Sequence, residues 1–219
     1  MILRENREKI SVKSARFLLP IEYEKDFYKK ALFFDLEHCV NKKPICVGVF
    51  GCSYYDEVRE ELVVNQYMIE NKRDAEDVLY IAEKYFIKMK SLLNKKYIVT
   101  FAGNNDFTVI DYLFKKNNIE FNIRENFKEI DLQKEYEKKT GSGIGLKNLE
   151  KEFNINRETE VIGGQNLAKT FNKIVRDSDY IYRMPQEKKE KILLYNEQDV
   201  VSLFQICLNW QKYIKTSEE

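Results

Sequence analysis

Two carboxylates stand two residues apart inside the apolar run Ala31–Glu37. Side chains alternate along a strand, so Asp35 and Glu37 point to one face and Leu36 points into the core on the other. Neighbouring carboxylates repel each other and are costly to desolvate unless a cation neutralises them. Hard oxygen ligands of this kind suit Mg²⁺ or Mn²⁺. The pair therefore indicates a divalent-cation site, and the alternative is a strand end whose acids simply reach solvent.

A third acid, Asp106, follows another short apolar run and opens a predicted helix. The carboxyl ends of strands are where an α/β sheet presents its functional groups. Asn104, Asn105 and Asp106 are also favoured in the cap and first turn of a helix, so capping remains an alternative role for Asp106. The two asparagines adjoin this acid and are candidate substrate contacts.

Tyr195 and Asp199 stand four residues apart in a late helical stretch of the chain. Residues at this spacing share one helical face, so the two side chains can address one point. Leu193, Val200 and Phe204 can supply the buried side of the same helix. The alternative is a core-edge aromatic residue beside a solvated acid.

These residues lie on a predicted α/β framework. Three strands rich in β-branched and aromatic residues come first, close together as antiparallel neighbours are. Helices alternate with two further strands, and the chain is then helical to its end. The prediction is a mixed five-stranded sheet flanked by helices, after an irregular or helical lead-in. The predicted strands are 31–37, 45–55, 61–69, 97–102 and 127–132, and the helices between them are 75–93 and 107–116.

The composition favours one folded domain over residues 31–214, preceded by the lead-in 1–30. Hydrophobic residues make up 43% of the 219 and charged residues 33%, which is enough to form a core and remain soluble. No apolar run approaches the roughly 20 residues of a membrane span, and the N-terminus lacks an apolar signal segment. We therefore expect a cytoplasmic protein with no membrane association, monomeric by default.

Charge and cysteine content exclude little else. The net charge of +1 argues against a polycation that coats nucleic acid, but a nuclease needs an acidic site and only local basic patches. The four cysteines form no CxxC pair and no zinc-finger spacing. They are predicted to be reduced thiols of the core.

The order of these motifs resembles the three motifs of the DEDD exonucleases, in the tyrosine-containing subgroup to which the proofreading domains of DNA polymerases belong. A closer likeness is to the YprB-type ribonuclease H-like family, over roughly residues 31–210. Each motif is short, so the specificity of the resemblance comes from their order and context. The stretches that carry it are FFDLE, FAGNNDFTVIDYL, EIDL, LKNLEKEF and YNEQDVVSL.

The resemblance implies a ribonuclease H-like fold and a 3'→5' exonuclease that removes nucleotides from the 3' end of DNA or RNA. Two Mg²⁺ or Mn²⁺ ions, roughly 3.5–4 Å apart, stabilise the attacking and leaving oxygens in such enzymes. By similarity, Asp35 bridges both cations, and Glu37 and Asp199 hold the one that activates water. Asp106 supports the other cation, directly or through water, and Tyr195 orients the attacking water.

Two positions depart from the family pattern. An aromatic residue usually precedes the acid of the second motif, whereas this chain has Asn105 there and Phe107 after the acid, so Asp111 is an alternative for Asp106. Sister enzymes place a histidine base where this chain has Leu194. The single histidine, His38, adjoins the first motif and is interpreted as incidental, near the substrate path.

The glycine-rich segment Gly141–Gly145 is interpreted as a flexible turn, because it lacks the Lys-Ser/Thr ending of a phosphate-binding loop. Lys138, Lys139 and Lys147 flank it and could steer a phosphate backbone. Of these, Lys147 is the candidate substrate residue. A solvated helix face is the alternative interpretation of all three.

Two other functions fit the same sequence. One is a catalytically silent nucleic-acid-binding or scaffold module on this fold, since fold does not imply function. The other is a structure-specific endonuclease with the same chemistry. The presence of all four acids and of the tyrosine favours the enzyme, and the late YxxxD spacing favours the exonuclease.

Overall fold

A mixed sheet forms the centre of the protein. The structure is a computed structural model that describes residues 1–12, 15–21, 24–158 and 162–214. Within these residues the strands are β1 (Ile2–Lys9), β2 (Ala31–Asn41), β3 (Lys43–Asp56), β4 (Glu61–Met68), β5 (Tyr97–Thr100) and β6 (Lys128–Asp131). They lie in the sheet in the order β1-β4-β3-β2-β5-β6. Neighbours among β1 to β4 pair antiparallel, whereas β5 pairs parallel with both β2 and β6.

Helices flank this sheet and make up most of the second half of the chain, so the predicted fold class is confirmed. A 3₁₀ turn, Phe27–Lys30, leads into β2. The helices in the described residues are α1 (Asp74–Ser91), α2 (Asn104–Lys116), α3 (Ile123–Asn126), α4 (Leu132–Thr140), α5 (Leu146–Glu152), α6 (Gly164–Arg176), α7 (Tyr180–Arg183) and α8 (Gln186–Tyr213).

The lead-in contains a sixth strand, and the prediction of an irregular or helical lead-in is wrong for β1. This strand pairs with β4 from Ile2↔Met68 to Lys9↔Glu61 at the edge of the sheet. Most of its side chains are exposed, including Leu3 at 63%. An edge strand with little buried surface is held by backbone hydrogen bonds, so it needs no apolar alternation that a sequence could reveal.

Alternation along β2 divides its side chains between two cores, and Leu36 faces a core on the side opposite Asp35, as predicted. Phe34 and Leu36 belong to the core covered by α1, α2 and α6. Phe33 belongs to the opposite core, where its ring meets that of Phe204 from α8 edge-on at 5.3 Å. Asp35 and Glu37 continue the face of Phe33, so they point towards α8.

Two further features complete the fold. All four cysteines are buried and free of disulfides, as expected for core thiols. Among the described helices, none combines the length and the apolar character needed to cross a bilayer.

Candidate metal centre

Three carboxylates from two elements converge where α8 crosses β2. One carboxylate oxygen each from Asp35, Glu37 and Asp199 lies within 4.8 Å of the others. Glu37 and Asp199 are buried, at 9% and 5% exposure, and Asp35 is partly buried. Strand alternation brings the first two together, and the docking of α8 brings the third.

Packing of the helix turns that follow Asp199 fixes the position of α8. Phe204 lies against Phe33, and the hydroxyl of Ser53 in β3 donates a hydrogen bond of 3.1 Å to the carbonyl of Val200. Tyr195 lies one turn before Asp199 on the face that meets β2, and it is buried. The tyrosine and the acid therefore reach the same centre, as their spacing predicts.

The second-motif acid, Asp106, lies just after the turn that joins β5 to α2. Gly103 is the N-cap residue of this helix, so Asp106 lies in its first turn and does not cap it. Ala102 takes a left-handed conformation, with φ 53°. Its amide donates a hydrogen bond of 2.9 Å to Oδ1 of Asp131, at the end of the neighbouring strand β6. Asp131 thus holds the strained turn that aims Asp106.

The field of the other acids reaches Asp106 but not Asp111. Burial raises the pKa of Asp106 well above its ordinary value, and the charges of Asp35 and Asp199 raise it further. The pKa of Asp111 is also raised by burial, but the charge that acts on it is that of Arg124, which lowers it. Asp106 therefore lies in the field of the other acids, although it stands outside the close triad of ligand oxygens, and the choice between Asp106 and Asp111 stays a prediction.

His38 forms part of the wall of the site. The pairing of β2 with β3 shifts register between Glu37 and His38, and such a bulge re-aims the side chains next to it. Nε2 of His38 lies 3.6 Å from Oδ1 of Asp106. Burial lowers the pKa of His38, which favours the neutral imidazole. His38 therefore lies close to Asp106, while its interpretation as incidental stays untested.

An asparagine that the sequence did not single out clamps the first acid. Asn196 is fully buried, and its Nδ2 donates a hydrogen bond of 2.9 Å to Oδ2 of Asp35. Its Oδ1 accepts one of 2.8 Å from Nε2 of Gln66 in β4. A Cβ atom on Gly51 would lie 2.1 Å from Oδ1 of Asn196, so this approach requires glycine at that position. The only sequence signal was its place inside the YNEQD motif.

Asp35 and Glu37 hold their protons more tightly than ordinary carboxylates. Burial, followed by the charge of Asp199, raises the pKa of Asp35 to about 7. Burial and the charge of Asp35 raise the pKa of Glu37 well above its usual range. Burial and Asp199 also raise the pKa of Tyr195, so its phenol stays protonated and can donate a hydrogen bond.

Two basic residues face the acids, and one of them was predicted. Lys147, a candidate substrate residue, forms an ion pair with Asp199, and its Nζ lies 4.5 Å from the centre of the Tyr195 ring. Arg157 also pairs with Asp199, and it makes a two-bonded contact of 2.7 and 2.5 Å with the buried carboxylate of Glu150. The sequence did not indicate Arg157 or Glu150, because their pairing is set by tertiary structure.

The remaining candidate substrate residues lie further out. Asn104 and Asn105 are exposed on the first turn of α2, and Oδ1 of Asn104 accepts a hydrogen bond of 2.8 Å from Arg124. Lys138 and Lys139 are exposed on α4, where Lys138 pairs with Glu135. The structure therefore brings Lys147 to the acids and leaves Lys138 and Lys139 on a solvated helix face.

The donor set fits a hard divalent cation. Carboxylate oxygens at this separation match the ligands that Mg²⁺ and Mn²⁺ prefer, and the opposing ammonium and guanidinium groups show that the pocket demands positive charge. A cation bound by Asp35, Glu37 and Asp199 would relieve the repulsion that raises the pKa values of the first two.

A mixed sheet flanked by helices, with acids at strand and helix positions around one point, defines an α/β protein with a candidate metal centre. The model of the RNase H superfamily matches residues 32–211, and the chain belongs to this superfamily. A comparison with curated proteins gives no match. The fold is that of nucleases of this superfamily, which implies a nucleic-acid substrate and hydrolytic chemistry with divalent metals.

Proposed function

We propose that this protein is a metal-dependent 3'→5' exonuclease that hydrolyses phosphodiester bonds of DNA or RNA. The observation that carries the proposal is the convergence of Asp35, Glu37 and Asp199 within 4.8 Å, with Tyr195 one helical turn from the last acid. The resemblance to the tyrosine-containing DEDD exonucleases supports the direction of cleavage. The superfamily membership supports the chemistry.

The carboxylates are proposed to hold two Mg²⁺ or Mn²⁺ ions. Asp35, Glu37 and Asp199 supply the close ligand set, and Asp106 adds a fourth carboxylate from α2. Bound divalent ions supply charge stabilisation for the attacking and leaving oxygens and lower the pKa of water. Asn196 holds Asp35 in one orientation through its 2.9 Å hydrogen bond.

The protein groups around the acids are proposed to position the substrate and water. Tyr195 keeps its phenolic proton, so it can donate a hydrogen bond that orients the attacking water. No histidine stands four or five residues before Asp199, so the base of the sister enzymes is missing here. Lys147 and Arg157 lie beside Asp199, where they can exchange that carboxylate for a phosphate oxygen of the substrate.

The test is the degradation of single-stranded oligonucleotides in Mn²⁺, labelled at the 5' or the 3' end. A 3'→5' exonuclease releases the 3' label at once as a mononucleotide and shortens the 5'-labelled strand stepwise. Asp35→Asn and Asp199→Asn should each abolish the reaction. Asp77→Asn, an acid on α1 whose side chain is 49% exposed, is the matched control and should leave it unchanged.

Two outcomes would contradict the proposal. Cleavage of a covalently closed circular strand at a comparable rate would identify an endonuclease. Binding of oligonucleotides without hydrolysis in Mg²⁺ or Mn²⁺ would identify a silent binding module.

A further inference from the structure

A basic pocket lies between α6, α7 and α8, away from the acids. Its volume is about 410 Å³, within the range of roughly 300–1,000 Å³ that is usual for ligand sites. No aspartate or glutamate is among the described residues that line it. Four lysines surround it, Lys169, Lys173, Lys188 and Lys191, and its apolar part is formed by Ile162, Leu167 and Ile192.

Three of these lysines pair with no acid among the residues that the structure describes. In the described parts of the chain, Lys169, Lys173 and Lys188 form no ion pair with a carboxylate, whereas Lys191 pairs with Glu187. All three are exposed. Unpaired ammonium groups around an open pocket attract an anion, and several of them at once suit a polyanion.

An aromatic ring organises two of the lysines. Nζ of Lys173 lies 5.5 Å from the ring centre of Tyr180, and Nζ of Lys188 lies 3.5 Å from the hydroxyl of the same tyrosine. Tyr180 is partly exposed, and Leu167 and Ile192 beside it are buried. The pocket therefore offers cations at its rim and apolar or aromatic surface inside, a combination that suits the phosphates and the sugar or base of a nucleotide strand.

The pocket is aligned with the metal centre along one helix. Lys188, Ile192, Tyr195 and Asp199 follow one another at steps of four, three and four residues, so they form one stripe on α8. At a rise of about 1.5 Å per residue, Lys188 lies roughly 16 Å along the helix from Asp199. A strand with about 3.4 Å between stacked nucleotides covers that distance with roughly five nucleotides.

We propose that this pocket binds the nucleic-acid strand roughly five nucleotides from the bond that is cleaved. The assignment rests on the proposed nuclease function, because it takes the acid cluster as the position of the 3' end. Phosphates bind Lys169, Lys173 and Lys188, and the wall formed by Tyr180 and Ile192 faces the sugars and bases. The pocket sets the affinity for long strands and takes no part in the chemical step.

Binding in EDTA tests the pocket without requiring any hydrolysis. The triple variant Lys169→Gln, Lys173→Gln, Lys188→Gln is compared with Lys84→Gln, Lys88→Gln, Lys115→Gln, a control that removes the same charge from exposed positions on α1 and α2. Fluorescence anisotropy of a labelled single-stranded oligonucleotide gives Kd over a range of salt concentrations. Each lost phosphate contact lowers the slope of log K against log salt by about 0.7, so the pocket variant should lose about 2 and the control nothing.

Hydrolysis tests the alignment with the acids. The pocket variant should raise KM for oligonucleotides longer than the span between the two sites by about tenfold, as expected for lost strand contacts, and leave the hydrolysis of a dinucleotide unchanged. An equal loss on both lengths would overturn the assignment. An unchanged Kd and salt slope, or an effect equal to that of the control, would overturn it as well.

The two proposals fail in different ways. If the wild-type protein binds oligonucleotides through the three lysines but hydrolyses none, the proposed nuclease function is wrong and the pocket remains a strand-binding site. If stepwise hydrolysis does not depend on the three lysines, the nuclease proposal holds and the proposed role of the pocket is wrong.

Discussion

Nδ2 of Asn196 lies 2.9 Å from Oδ2 of Asp35, and this hydrogen bond joins the helix that carries one acid to the strand that carries two others. Gly51 on β3 makes room for it. In Gly51→Ala, the new Cβ would lie 2.1 Å from Oδ1 of Asn196, so the amide must move. We expect a loss of about 1–3 kcal/mol in the free energy of unfolding, as is usual for an overpacked core, together with weaker hydrolysis.

The measurement for Gly51→Ala is chemical denaturation combined with the oligonucleotide assay. Gly145→Ala is the matched control, because nothing lies within 4 Å of a Cβ there and the backbone is extended, with φ −92°. Equal stability of both variants would show that Asn196 is not confined.

Divalent metal should stabilise the protein. Asp35, Glu37 and Asp199 repel one another in the absence of a cation, and a ligand that binds only the folded state adds about 2.7 kcal/mol at 100 times its Kd. We expect Mg²⁺ or Mn²⁺ to raise Tm, and Asp199→Asn to remove most of the increase. Ca²⁺ and a monovalent salt at equal ionic strength separate specific binding from screening. No shift at saturating metal would contradict the metal centre.

The choice between the two second-motif acids can be made with a pair of variants. Asp106→Asn should abolish metal-dependent hydrolysis, because Asp106 feels the charges of Asp35 and Asp199. Asp111→Asn, five residues later on the same helix, should retain it. If Asp111→Asn abolishes hydrolysis and Asp106→Asn retains it, Asp111 is the acid of the second motif. Circular dichroism of both variants shows whether α2 remains folded.

Arg157 should be essential for stability as well as for the site. Glu150 is 2% exposed, and the two hydrogen bonds from Arg157 compensate its buried charge. Arg157→Leu leaves that charge unpaired, which costs about 3–5 kcal/mol in comparable buried pairs. Arg73→Leu breaks an exposed pair with Asp77 and should cost less than about 1 kcal/mol. Urea denaturation compares them, and Glu150→Gln in the Arg157→Leu background should restore part of the loss.

Lys95 should make the free energy of unfolding depend on pH in the alkaline range. Burial lowers its pKa from 10.5 to about 8, and its Nζ donates hydrogen bonds of 2.6 and 2.9 Å to the carbonyls of Lys29 and Tyr55. Between these two pKa values the unfolded chain binds the proton that the folded protein has lost, so this group makes stability rise with pH there.

The Lys95 effect is measured as a difference between two proteins. Lys95→Met removes the titrating group, so the stability of the wild type minus that of Lys95→Met should increase from pH 8 to pH 10.5. A difference that stays constant across this range would show that Lys95 is not desolvated in the folded state.

The sequence predicted the elements whose side chains carry periodic information. Alternation in β2 assigned Leu36 to the core opposite Asp35. The four-residue spacing in α8 predicted Tyr195 and Asp199 on one face, and Lys147 contacts both. It missed β1, because an exposed edge strand has no apolar period. It also missed Asn196, whose hydrogen-bond partners lie 130 and 161 residues away in the chain, since only the folded sheet brings them together.

α8 carries an acid, the tyrosine, the asparagine clamp and the rim of the basic pocket on one continuous 28-residue helix. Each residue added to a helix rotates everything beyond it by about 100°. One residue inserted between Ile192 and Tyr195 would therefore turn Lys188 and Ile192 away from the helix face that carries Tyr195 and Asp199. The proposed metal site and the proposed strand-binding pocket therefore both require one rotational setting of this helix, so the spacing of residues along it matters as well as their identity.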